Sequence, residues 1–128
     1  MKTSVLLAAL QYGVLSLAAC TDEADGFASL NGGTTGGNGG EEVTVSTYDD
    51  LKKYATASEK YVIKVDGRIT MSTFGEELKV ANDKTIIGVG TTGEIYEGGF
   101  GLSNVKNIII RNLKIGQYAL PMISSASN

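Results

Sequence analysis

At 128 residues the chain allows one small domain at most, and its formal charge of −3, with no basic stripe to displace phosphate counterions, argues against a nucleic-acid partner. The absence of histidine removes Ser-His-Asp triads, histidine general bases and ordinary histidine zinc sites. Seventeen glycines and a single proline, together with many Val, Ile and Thr residues, favour strands and tight turns over helices.

Residues 1–20 read as a signal peptide. Lys2 supplies the positive start, Val5 to Ala18 is an apolar stretch broken by Gln11 and Tyr12, and Ala18-Ala19-Cys20 offers small residues for cleavage near Ala19 or Cys20. The run is too short and too interrupted for a comfortable membrane span. The same segment fits a bacterial lipoprotein box with Cys20 as the lipidated residue. Apart from that case no membrane association is expected. Loss of the leader takes the formal charge from −3 to −4 and leaves no cysteine pair for an internal disulfide.

Asn31 to Gly40 contains six glycines, and by composition it is a flexible linker. Val43-Thr44-Val45 is a short β segment. Thr47 then caps a helix over Tyr48 to Ala55: Asp49 and Asp50 suit its positive end, and Tyr48, Leu51 and Ala55 recur on one apolar face.

From Tyr61 the pattern is all β. Strands are predicted at Tyr61–Val65, Arg68–Thr70, Leu78–Val80, Lys84–Gly88 and Asn107–Arg111. Asp66-Gly67 between two apolar runs reads either as a hairpin or as a bend within a coil. Spacing separates the two readings. Ile63 and Ile86 lie 23 residues apart, as do Ile86 and Ile109. Short apolar strands at a fixed interval are the pattern of stacked coils, each placing one strand on the same sheet.

Three groups of residues invite a chemical reading. Gly88-Val89-Gly90-Thr91-Thr92-Gly93 matches the dinucleotide-binding G-x-G-x-x-G, but Gly98, Gly99 and Gly101 soon after it forbid the helix that a pyrophosphate needs, so these glycines serve turns. Lys106, Arg111 and Lys114 surround the last strand and could meet a polyanion, although a solvated strand face explains them as well. Asp49-Asp50 and Glu76-Glu77 are paired acids. Calcium takes six to eight converging oxygens. Asp49 and Asp50 serve the helix start, and Glu76-Glu77 is placed in a turn, so no metal site is assigned.

Four stretches taken together resemble the pectate lyases of polysaccharide lyase family 1. They are Gly26 to Gly37, Val43-Thr44-Val45 with the following helix, Lys84-Thr85-Ile86-Ile87-Gly88-Val89-Gly90, and Gly99-Phe100-Gly101-Leu102 through Asn107-Ile108-Ile109-Ile110-Arg111-Asn112-Leu113. The resemblance implies an all-β fold, a right-handed, single-stranded parallel β-helix. Here it would be incomplete, holding the amino-terminal coils with the helix as their cap. The glycine-rich stretch then becomes an ordered lead-in. The implied organisation is a signal peptide at 1–20, the amino-terminal part of the β-helix at 21–117, and a divergent tail at 118–128.

The resemblance also implies a secreted, extracellular enzyme that cleaves pectate of the plant cell wall by calcium-dependent β-elimination and is a monomer when complete. In that family the calcium-binding aspartates and the catalytic arginine follow the block corresponding to Ile109-Ile110-Arg111-Asn112-Leu113. The tail from Tyr118 does not continue the pattern. No catalytic, cofactor or metal residue is therefore placed on this chain, which is expected to be inactive by itself. The competing reading is a non-catalytic β-helical binding or surface protein outside the cell.

Overall fold

The computed structural model describes residues 26–116, so the leader and the tail from 118 lie outside the described residues. Two compact units divide between Gly33 and Thr34. In the first, Gly26–Gly32 forms 3-10 turns broken at Leu30 and Asn31, with the Ser29 hydroxyl donating to the Gly26 carbonyl at 2.7 Å and Phe27 fully exposed. No described helix is long and apolar enough to cross a membrane.

The described residues of the second unit form nine strands and one helix. In chain order they are β1 (Glu41–Val45), α1 (Tyr48–Ala55), β2 (Tyr61–Val65), β3 (Arg68–Thr70), β4 (Glu76–Lys79), β5 (Lys84–Gly88), β6 (Glu94–Tyr96), β7 (Gly98–Gly101), β8 (Ile108–Arg111) and β9 (Lys114–Gly116). Every pairing is parallel. They form three sheets, ordered β1-β2-β5-β8, β3-β6-β9 and β4-β7. From β2 onward consecutive strands therefore fall in different sheets, and each sheet gains one strand per turn of chain. This is a parallel β-helix. The coils β2-β3-β4 and β5-β6-β7 are followed by β8-β9 of a third.

Alternation along each strand sends every second side chain inward. On the first sheet Val45, Ile63, Val65 and Ile86 are all essentially sealed from solvent. Ile69 and Ile95 do the same on the second sheet, and Leu78 on the third. The Asp66-Gly67 pair is a bend between two sheets and not a hairpin: the Asp66 N–H donates to the Val45 carbonyl at 2.9 Å, and Gly67 has a φ of +79°.

The helix forms where its caps require. The Thr47 side chain accepts the N–H of Asp50 at 3.3 Å, and Leu51 and Ala55 are fully buried in the same apolar cluster as the strands. Lying before the first coil, α1 closes the amino-terminal end of the core.

Two readings from spacing and composition need correction. Ile63 does pair with Ile86, but Ile86 pairs with Ile110 and Ile109 stands opposite Thr85. The second interval is thus one residue longer than the first. Because side chains alternate, a slip of one residue exchanges the inward and outward faces, and the run Ile108-Ile109-Ile110 conceals the phase. Glu76 and Glu77 lie in β4 and not in a turn, since pairing with Gly98 and Gly99 extends the strand toward its start.

Candidate functional site

The glycine-rich motif Gly88–Gly93 joins the end of β5 to the start of β6 and leads into no helix. A Cβ on Gly88 would fall 2.0 Å from the Asn112 carbonyl oxygen, and one on Gly93 would fall 2.5 Å from the Gly88 Cα. The Asn112 side-chain amide donates to the carbonyls of Gly88 and Gly90, at 2.8 Å each. These glycines let successive turns stack, and no phosphate cradle forms.

The three candidate cations are divided among different surfaces. Lys106 lies in the turn before β8, where its N–H donates to the Asn82 side-chain oxygen at 2.8 Å. Arg111 ends β8 in register with Ile87, which is itself in register with Lys64. This places Arg111 on the outward face of the first sheet, where Lys64 pairs with Glu42. Lys114 opens β9 on the second sheet in register with Glu94.

The acids are equally dispersed. Asp49 and Asp50 occupy the first turn of α1. Glu76 receives the Tyr48 hydroxyl at 2.5 Å and the Ser72 hydroxyl at 2.5 Å. These two bonds, Ser72 first, hold its carboxyl below the usual carboxylate range. Among the described residues no three acidic, histidine or cysteine side chains gather where they could hold a metal.

Sequence reasoning passed over three polar residues that the fold uses. Lys84 is fully buried. Its ammonium donates to the carbonyls of Glu59 at 2.6 Å and Asn82 at 2.8 Å, and burial lowers its pKa. The signal was available: alternation from Ile86 back to position 84 turns the lysine inward. Glu94 is 8% exposed and accepts from the Arg68 guanidinium at 2.7 Å, while that guanidinium also lies 4.6 Å from the centre of the Tyr96 ring. The sequence marks this pair through no motif, because 26 residues separate the partners. Asn107 binds the glycine-rich lead-in, a long-range contact that local pattern does not encode.

Comparison with known proteins places these coils in a family. The family profile described as pectate lyase matches residues 3–120. The chain is 46% identical over 101 residues to the pectate trisaccharide-lyase of Thermotoga maritima, a match covering 75% of this chain and 27% of that relative. It is 45% identical over 100 residues to the pectate trisaccharide-lyase of Bacillus licheniformis, covering 73% and 29%. The crystal structure of a pectate lyase from Bacillus sp. N165 in complex with trigalacturonate superposes with a TM-score of 0.61 at 34% identity, covering 72% of this chain and 34% of that one. The chain thus spans 27% to 34% of the length of these relatives. With a family profile matching most of its residues and the same parallel coils, the chain belongs to the pectate lyase family.

Proposed function

We propose that the chain is the amino-terminal part of a secreted enzyme that cleaves pectate by calcium-dependent β-elimination, and that residues 1–128 alone do not turn pectate over. The observation carrying this reading is the family match, 46% identity to a pectate trisaccharide-lyase along three quarters of the chain. What the chain contributes is the start of the β-helix: a capped end, an ordered lead-in and sheets for later coils to stack on.

Calcium would let an acidic protein hold an acidic polymer and would acidify the proton beside the uronate carboxylate. The described residues do not fit such a site. Asp49 and Asp50 serve the helix start, Glu76 is engaged by Tyr48 and Ser72, and Glu94 is engaged by Arg68.

The test is an assay on polygalacturonate with calcium and with chelator. The 128-residue chain should release no unsaturated product above blank. A chain extended through the codons after 128 should release it only when calcium is present. Unsaturated oligogalacturonides released by the short chain would overturn the inactivity, and an inactive extended chain would favour a binding protein. Export is tested on the same material, whose secreted form should begin near Ala19 or Cys20.

A further inference from the structure

Solenoid coils ordinarily touch only their neighbours. Residues 34–40 break that rule. The Gly37 N–H donates to the Thr85 hydroxyl oxygen at 2.9 Å, in the second coil. The N–H groups of Thr35 and Gly36 both donate to the Asn107 side-chain oxygen at 2.8 Å, at the start of the third. The Asn107 amide group donates to the Gly36 carbonyl at 3.1 Å, to the Thr35 hydroxyl at 3.2 Å and to Asp83 at 2.7 Å. Close approach is required throughout. A Cβ on Gly37 would fall 1.9 Å from the Tyr61 carbonyl oxygen in the first coil, and one on Gly36 would fall 2.1 Å from the Thr85 hydroxyl and 3.1 Å from Ile109. One short segment therefore spans three successive coils, across the outward side chains of Thr85 and Ile109.

We propose that residues 34–40 form a strap latched by Asn107, which closes only when the third coil is in place and opens as a unit while the first two coils stay folded. Two features favour a latch over a permanent weld. Closure rests on hydrogen bonds to the side chains of Thr85 and Asn107, and Asn107 both accepts from strap N–H groups and donates to the Gly36 carbonyl, so its side chain alone completes most of the bonding. Both Asn107 and the stacked Asp83 adopt positive φ, +61° and +59°. This conformation costs free energy in a non-glycine residue, and here these side-chain bonds offset it. Opening would uncover the outward face at Thr85 and Ile109 without disturbing the inward core.

Hydrogen exchange on the full 128-residue chain, read by peptide, tests the latch. In Asn107→Ala the amides of Gly36 and Gly37 should exchange at least about tenfold faster, as in local opening, while residues 61–65 and 84–88 keep their protection. Gly36→Ala, whose Cβ would meet the outward side chains of Thr85 and Ile109, pushes the strap off the coils without entering the inward core and should give the same pattern, and the double variant should add nothing further. Ile110→Ala, which loosens the third coil away from the strap, should also speed Gly36 and Gly37. Unchanged strap exchange in Asn107→Ala would overturn the proposal. So would loss of protection along the whole chain in both single variants, since the strap would then be inseparable from the coils.

Discussion

The two ends of the coil stack carry the same residue type at equivalent positions with different burial. On the second sheet Ile69, Ile95 and Ile115 stand in one inward column. Their exposures are 1%, 0% and 45%. On the first sheet Ile63 and Ile86 are sealed, whereas Ile108 and Ile110 are only partly buried. At the amino-terminal end α1 supplies Leu51 and Ala55 to cover the column ends. Beyond β8 and β9 no described strand continues either sheet. An isoleucine in a solenoid is buried by the layer above and the layer below, so its contribution to stability is set by its place in the stack and not by its identity.

The largest expected effect tests this directly. Ile95→Ala removes a fully enclosed side chain and should destabilise the chain by about 2–5 kcal/mol. Ile115→Ala, half exposed, should cost no more than about 1 kcal/mol. Urea midpoints of the two variants, measured against the parent chain, give the comparison. Equal losses would break it, because they would mean that the third coil is as enclosed as the second.

Lys84 probes the layer between. Its ammonium supplies the donors for two carbonyls, so Lys84→Met should cost about 1–3 kcal/mol from acceptors left unpaired. The sign of the pH dependence follows from burial, which places the folded pKa below the unfolded value of about 10.4. At pH values below the lowered folded pKa both states are protonated, and the full penalty of enclosing a charge is present. As pH rises through the lowered folded pKa, the unfolded chain binds more protons than the folded one, and stability contributed at this site increases. Melting measured from pH 7 to pH 10 should show the parent chain gaining on Lys84→Met. A difference that stays flat or narrows would show that Lys84 is more solvated than the inner layer of a closed stack allows.

Much of this architecture was legible in the residues because it is local. Thr47 with Asp49 and Asp50 marks the start of α1, and the β-branched runs at Tyr61–Val65 and Lys84–Gly88 mark the first-sheet strands. The sequence resemblance supplied the β-helix, and the register of Ile63 with Ile86 agrees with it. The three-residue strands β6 and β9 and the glycine-rich β7 were not legible. Strands so short carry no measurable alternation of their own, and the equally short β3 was legible only through the Asp66-Gly67 signal before it; Gly98-Gly99-Phe100-Gly101 reads as turn by composition. These segments are extended because the preceding coil offers a partner edge, which is tertiary information. The same holds for the candidate site: the dispersal of Lys106, Arg111 and Lys114 follows from a coil geometry that neighbours in sequence do not reveal.

The smallest expected effect concerns what holds the closed end shut. Tyr48 of α1 donates to one oxygen of Glu76 in β4 and Ser72 donates to the other, tying the capping helix to the third sheet. Both bonds favour the charged carboxylate, so the folded pKa of Glu76 lies below its unfolded value. Stability from this source is therefore fully present above the unfolded pKa, about 4.3, and is lost as pH falls through the lowered folded value. Ser72→Ala and Tyr48→Phe should each lower the melting temperature slightly at neutral pH, Ser72→Ala more, because its bond is the larger cause of the shift. The difference from the parent chain should shrink toward zero as pH falls through the lowered folded value, below which Glu76 is protonated in both states. Ile115→Ala, at the other end and near no such carboxylate bond, should show the same small loss at both pH values. If the Ser72 and Tyr48 variants instead lose equally in acid and at neutral pH, their effect is one of packing. The helix would then close the stack through Leu51 and Ala55 alone.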